Sequence, residues 1–158
     1  MRVYVAGSMK NIKVIRELGE LMRQQRLNVY VFCDEDQLTY EYSLTLRQQY
    51  DISQLTPQAI LYNPILRSIG VLNLAQLKLC DACVIVLPSG RSAHMEGGFM
   101  CGRGKPLYII GPMEEGEFDA MYLMAQNVYT LDDVHILIKD LKNEEKKNIA
   151  HDTTKSAT

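Results

Sequence analysis

The chemistry in this chain gathers around one acid. Residues 88 to 105 read PSGRSAHMEGGFMCGRGK, directly after the apolar run ACVIVL, and set Glu96 between Gly90 and the pair Gly97-Gly98. Glycines at 90, 97 and 98 allow close backbone approach to a ligand, and Ser92 has the residue type of an N-cap for a following helix. In that register Glu96 lies about one turn into the helix, where free backbone N–H groups and the helix dipole favour its ionised form. A carboxylate held at a polar rim can attack, or electrostatically stabilise, an oxocarbenium-like sugar carbon, which is the chemistry of glycosidic bond cleavage. The same acid also fits a capping or solvated helix role, and spacing alone leaves the two open.

A second turn bears on the choice. At the chain start, Tyr4 is followed by Ala6-Gly7-Ser8-Met9, so a phenol, a glycine turn and a hydroxyl end one apolar run. Helix N-termini at such turns bind phosphate or sugar hydroxyls through backbone N–H groups. Tyr4 is equally well read as a core aromatic.

These side chains must be held by something, and the pattern around them reads as alternating strands and helices. VYVA (3 to 6), NVYVF (28 to 32), ACVIVL (82 to 87), PLYII (106 to 110) and NVYTL (127 to 131) are short apolar, β-branched or aromatic runs expected to be strands. Ile12, Ile15, Leu18, Leu21 and Met22 recur at helical spacing, with Lys13, Arg16, Glu17, Glu20 and Arg23 on the opposite face. Residues 65 to 80 are again helical through Ile65, Ile69, Leu72, Leu77 and Leu79, and a helix is expected from near Ser92. Residues 117 to 126 are a further possible helix, and Asp132 opens an amphipathic helix to about Leu141. Residues 34 to 64, with an acidic turn, a polar stretch containing Tyr40, Tyr42 and Tyr50, and prolines at 57 and 64, read as a short helix plus a mobile, substrate-facing segment.

Strand and helix alternation argues for one α/β domain over residues 1–142. Its architecture is a five-stranded parallel sheet with helices on both faces, in a three-layer flavodoxin-like or Rossmann-like order. Residues 143–158, poor in apolar side chains, read as a disordered tail. In such folds ligands bind outside the carboxyl ends of the strands. That rule puts Gly7-Ser8-Met9, Asp34 to Asp36 and the 88 to 98 loop on one rim.

The totals exclude several functions. With 158 residues the chain can bury a core without a disulfide or metal staple, and 17 Lys and Arg against 19 Asp and Glu, a formal net charge of -2, offer no footprint for nucleic acid or an anionic membrane. No apolar run approaches the roughly 20 residues of a membrane span. Cys33, Cys80, Cys83 and Cys101 lack the spacing of a secreted disulfide framework, and no leader-like segment opens the chain, so a cytoplasmic protein with reduced thiols is expected. Cys80-Asp81-Ala82-Cys83 has CxxC spacing but no second pair, and reads as core rather than as a zinc or redox site. Among the cations near the loop, Arg91, Arg103 and Lys105 could bind a phosphate; Lys105 reads more readily as a capping or solvated group, whereas Arg91 is in the active loop and is the one to test.

VYVAGSM and PSGRSAHMEGGFMCGRGKP together resemble the nucleoside 2-deoxyribosyltransferase family, including its relatives that hydrolyse nucleoside 5'-monophosphates. The likeness spans roughly the first 130 residues in order of elements and rests on the aromatic-x-x-Gly turn and the later Glu-x-Gly with Gly-Lys-Pro before the next strand. It implies that Glu96 is the nucleophile, that Tyr4 orients it, and that Gly7 and Ser8 meet the sugar or its 5'-phosphate, with Ser89 and Ser92 at the small or acidic position shortly before the glutamate; Met9, Gly90 and Arg91 are expected beside them by their place on the rim and loop. It further implies that Tyr122 and Met124, in MYLMAQN, enter a neighbouring subunit's site, and hence a homodimer or higher homo-oligomer. One departure is that Asn73 stands where many members carry an aspartate. An amide can hold a hydroxyl but cannot act as a carboxylic acid, so the proton donor to the leaving base is unassigned, with Asp34, Asp36 and His94 as candidates by rim position.

The same loop is similar to the Pro-Gly-Gly-x-Gly-Thr-x-x-Glu motif of lysine-decarboxylase-like phosphoribohydrolases, through Pro88, Gly90 and Glu96, with Ser92 and Ala93 in place of Gly and Thr. Both likenesses imply cleavage or transfer of the N-glycosidic bond of a nucleoside or nucleotide, with no metal or redox cofactor. The rival readings are a nonenzymatic nucleotide-sensing module and a partner-binding domain using the tyrosine-rich 40 to 50 segment.

Overall fold

The computed structural model of the chain describes residues 1–51, 54–112 and 119–155, with side chains through residue 150. Five strands form one sheet: β1 (Arg2–Ala6), β2 (Asn28–Val31), β3 (Ala82–Val86), β4 (Leu107–Ile110) and β5 (Asn127–Tyr129). Their order is β2-β1-β3-β4-β5 and every pair is parallel, the flavodoxin-like one of the two arrangements expected from the alternation. β1 and β3 lie at the centre, and Val3 to Ala6 and Ala82 to Val86 are buried throughout. That explains continuous apolar runs in place of an alternating pattern.

Side-chain alternation divides the helices between the two faces. On one face α1 (Ile12–Gln24) lies so close to β2 that a Cβ on Gly19 would meet Val31 at 2.5 Å, and Tyr129 of β5 donates to Asp140 of α6 (Val134–Lys155) at 2.6 Å. On the other face lies α5 (Arg91–Gly102), where Gly97 lets the helix meet Ile85 and Leu107. Beside it runs α4 (Pro64–Leu79), with α2 (Leu38–Gln49) packed against it and the short α3 (Pro57–Tyr62) preceding it.

The prolines that interrupt the sequence pattern start helices. Thr56 accepts from Ala59 N ahead of Pro57, and Asn63 accepts from Ile65 N and Leu66 N ahead of Pro64, so each proline occupies the first helical position, where its missing N–H costs nothing. Residues 38–49 are a 12-residue helix, longer than the short helix expected there. Its entry is fixed by a buried chain: Tyr30 Oη bonds Thr39 Oγ1 at 3.1 Å, and Thr39 Oγ1 donates to Phe32 O at 2.7 Å.

Three boundaries differ from expectation. The helix bearing Glu96 begins at Arg91 with Gly90 as N-cap and no side-chain cap, so Ser92 is not the cap but a first-turn residue. The last helix does not stop at Leu141 but continues to Lys155, so the expected disordered tail is helical backbone through that residue. Glu and Lys are good helix formers even without an apolar face, and Glu144–Lys147 together with the N-terminal amine on Glu145 supply ion pairs along it. Of the possible helix at 117 to 126, Ala120–Met124 forms one 3-10 turn, and its first two residues lie outside the described residues.

Among the described residues no helix is long and apolar enough to cross a membrane. Cys33, Cys80 and Cys83 are buried free thiols; burial pushes Cys33 and Cys80 up to about 11 and raises Cys83 well above the ordinary thiol range.

Candidate functional site

A cleft of about 270 Å³ opens beyond the carboxyl ends of β1 and β3. Gly7, Ser8 and Met9 form its floor after β1, Gly90, Ser92 and Glu96 come from the start of α5, and Asn73 comes from α4. These are seven of the expected site residues, six from the rim turns and Asn73 from the helix before β3. The opposite wall is Phe32 after β2, Ser43, Leu46 and Arg47 of α2, and Leu66 and Ile69 of α4.

Glu96 is fixed by two donors on a single oxygen. Tyr4 Oη, from a side chain fully buried in β1, donates to Glu96 Oε1 at 3.0 Å, and Asn73 Nδ2 donates to the same oxygen at 3.2 Å. Oε2 accepts from no described residue and is the free atom of the carboxylate. Tyr4 in turn lies against Tyr30, with ring centroids 5.3 Å apart, so its phenol is braced by the sheet. Burial pushes the Tyr4 hydroxyl far above the ordinary phenol range, and the Glu96 charge adds to this, so Tyr4 is a hydrogen-bond donor and not a titrating group.

The electrostatics of Glu96 reverse the helix-dipole expectation. Its carboxyl is pushed up to about 7 by burial, against the lowering effect of the bonds from Tyr4 and Asn73. With the helix starting at Arg91, Glu96 sits past the first turn, where the free N–H groups and the dipole no longer act strongly. The result is a carboxyl that changes charge near neutral pH instead of a solvated helix residue.

Other expected residues fall elsewhere. Ser89 and Arg91 are not in the cleft wall; Ser89 Oγ faces His94 Nδ1 at 3.5 Å, and Arg91 is exposed. His94 does not line the cleft: Nδ1 meets Gly90 O at 3.0 Å, Nε2 meets Tyr122 Oη at 3.0 Å, and the two rings stack 5.8 Å apart. Asp34 pairs with Arg23 and Asp36 accepts from Gln37, both along a separate groove beside α1. Tyr122 is buried in its own chain, and Met124 lines a third groove with Cys101, Lys105 and Gln126. Arg103 caps α4 by donating to Leu77 O and Lys78 O, and Lys105 pairs with Asp81.

Of the three loop glycines, only Gly90 faces a ligand space. A Cβ on Gly97 would meet Ile85 at 2.7 Å, so that glycine serves helix-on-sheet packing, and one on Gly98 would meet nothing within 4 Å. Sequence reasoning turned the 34 to 64 segment toward the substrate but named none of the α2 wall residues, above all Arg47. The signal lay in helical spacing: Ser43, Leu46 and Arg47 share one face of α2, as Leu66, Ile69 and Asn73 share one face of α4.

No protein-family profile and no curated protein matches the chain. Solved structures do. A conserved protein from Enterococcus faecalis is similar over 91% of this chain and 98% of its own, with a TM-score of 0.56 and 13% identity. A CMP N-glycosidase from Clostridium botulinum, BcmB, is similar over 91% of this chain and 99% of its own, with a TM-score of 0.50 and 15% identity. At these identities the likeness defines the class of fold, an α/β domain of the kind that also supports a nucleotide N-glycosidase.

Proposed function

We propose that this protein cleaves, or transfers across, the N-glycosidic bond of a nucleoside 5'-monophosphate or nucleoside, with Glu96 as nucleophile. The observation that carries the reading is the double anchoring of Glu96 Oε1 by Tyr4 and Asn73, which leaves Oε2 free at the cleft. Among the described residues lining the cleft Glu96 is the one carboxylate. An inverting hydrolysis needs a second one as base, whereas a single anchored carboxylate suits displacement at the anomeric carbon.

In the reaction so read, an Oε2 lone pair forms a bond to C1' as the C1'–N bond breaks, and the base leaves with that electron pair and takes a proton from solvent. Water, or an acceptor base, then attacks C1' from the opposite side, loses a proton, and restores the carboxylate. Tyr4 and Asn73 hold the carboxylate plane, and their hydrogen bonds favour its ionised form as positive charge grows on the sugar. Phe32, Leu46, Leu66 and Ile69 give an apolar wall suited to a flat base. Arg47 has no acidic partner among the described residues and is the cation of the cleft, which favours a phosphorylated substrate over a bare nucleoside.

Resemblance to the deoxyribosyltransferase family supports the same reading, as does the fold shared with a CMP N-glycosidase. A homo-oligomer belongs to the proposal too: Met121 and Leu123 are exposed apolar side chains beside Met124, a surface a second copy would cover. Sedimentation of the purified protein measures that state. The reaction is tested by incubating the protein with nucleosides and nucleoside 5'-monophosphates of both sugars and following free base by chromatography. Base release that disappears in Glu96→Gln supports the reading; no release from any substrate overturns it.

A further inference from the structure

Asn73, a residue of the cleft wall, carries an unused acceptor on the side chain that holds Glu96. Its Nδ2 bonds the Glu96 carboxylate, which fixes the amide's orientation, since turning it over would aim Oδ1 at a carboxylate oxygen. Oδ1 is thereby buried, and no described residue donates to it. Buried polar atoms in native chains are almost always bonded, so an orphan at the wall of a cleft marks a group that a ligand or water satisfies.

Resting on the N-glycosidase reading above, we propose that Asn73 Oδ1 accepts the 2'-hydroxyl of the substrate, making Asn73 the residue that selects ribose over 2'-deoxyribose. The argument is one of connectivity. Glu96 Oε2 attacks C1', and the side chain bonded to the other oxygen of that carboxylate lies beside the substituent one bond away, on C2'. A donor hydroxyl there meets an acceptor, whereas a 2'-methylene leaves Oδ1 buried and unbonded. Hydrogen bonds to a sugar 2-hydroxyl also strengthen as the oxocarbenium ion develops, so the contact discriminates in the rate as well as in binding. An aspartate in this position would place a second negative charge against Glu96, and the amide supplies the acceptor without that repulsion.

The test compares ribonucleoside and 2'-deoxyribonucleoside 5'-monophosphates of one base. Wild-type protein is expected to favour the ribonucleotide in kcat/KM by about 100-fold or more, the direction seen when a site built around a hydroxyl meets an analogue lacking it. Asn73→Ala, shown to be folded by circular dichroism, should lower both rates through loosened Glu96 while bringing their ratio to within a few-fold of unity. A purely structural role would lower both and leave the ratio intact. Binding to Glu96→Gln, which keeps the Oε1 acceptor but cannot attack, is measured in parallel by calorimetry, and the ribonucleotide should bind at least about 10-fold more tightly. Turnover without sugar preference, or a preference unchanged in Asn73→Ala, overturns the assignment and leaves the N-glycosidase reading standing. No turnover on any substrate overturns that reading, and equal binding of the two sugars by Glu96→Gln then overturns this one as well.

Discussion

Tyr4 Oη and Glu96 Oε1 are 3.0 Å apart although 92 positions separate them in the chain. The parallel pairing of β1 with β3 sets Tyr4 beside Cys83, and α5 returns over that face with Gly97 seated on Ile85. The contact is therefore a product of sheet order, and it couples the phenol to the charge state of the acid.

Replacing Tyr4 by Phe removes the hydroxyl and keeps the ring. Its bond lowers the Glu96 pKa, so the variant's acid should titrate higher, and the ascending limb of the kcat/KM profile should move to higher pH. In the wild type that limb should level off near pH 7, tenfold per pH unit below it, because the ionised form attacks. A pH–rate profile of both proteins checks this; identical limbs would sink the role given to Tyr4.

Glu96→Gln should abolish turnover by about 10³-fold or more while stabilising the fold at neutral pH. A carboxyl whose pKa rises from 4.5 unfolded to about 7 folded binds more protons in the native state across that window. Native stability is thus full below pH 4.5, falls between pH 4.5 and 7, and stays low above. At about 1.4 kcal/mol per unit the loss reaches about 3 kcal/mol. Melting temperatures of wild type and variant should coincide most closely near pH 4.5 and diverge, with the variant higher, by pH 8.

Arg47→Gln should raise KM for nucleoside monophosphates by about 10- to 100-fold, the scale of a lost charge-assisted hydrogen bond, and leave nucleoside turnover unchanged. Arg91→Gln should alter neither, because Arg91 is outside the cleft wall. Steady-state kinetics on a nucleoside and its monophosphate distinguish the two arginines.

Gly97→Ala and Gly98→Ala are one residue apart and should differ in sign. The first forces a methyl to within 2.7 Å of Ile85 and 3.2 Å of Leu107, costing about 1–3 kcal/mol. The second meets open space and gains up to about 1 kcal/mol from helix propensity. Chemical denaturation measures both.

Much of the fold was legible because its signals are local. Buried parallel strands read as unbroken apolar runs, and α1 announces itself by the spacing of Ile15, Leu18 and Met22 against charged neighbours. α2 was harder to read, since Thr39 and Leu46 are its buried side chains and the rest of its surface is mixed. The extent of α6 was missed for a related reason: a solvated helix held by propensity and ion pairs has no apolar period to read.

For the site, residue types and two glycine turns made Glu96, Tyr4, Gly7 and Ser8 candidates, and only the family resemblance drew attention to Asn73. Which of them meet, and what charge the acid carries, depends on distance and burial, which a linear pattern does not contain. The dipole argument from sequence favoured an ionised Glu96, yet burial outweighs it, because removal from water acts on the whole carboxylate while the helix end acts only over the first turn. By itself the sequence determined the order of strands and helices and the chemical groups available at their ends. Only the tertiary structure decided that His94 turns to Tyr122, that Asp34 turns to Arg23, and that α2 brings Arg47 to the cleft, since those choices are made by packing between elements distant in the chain.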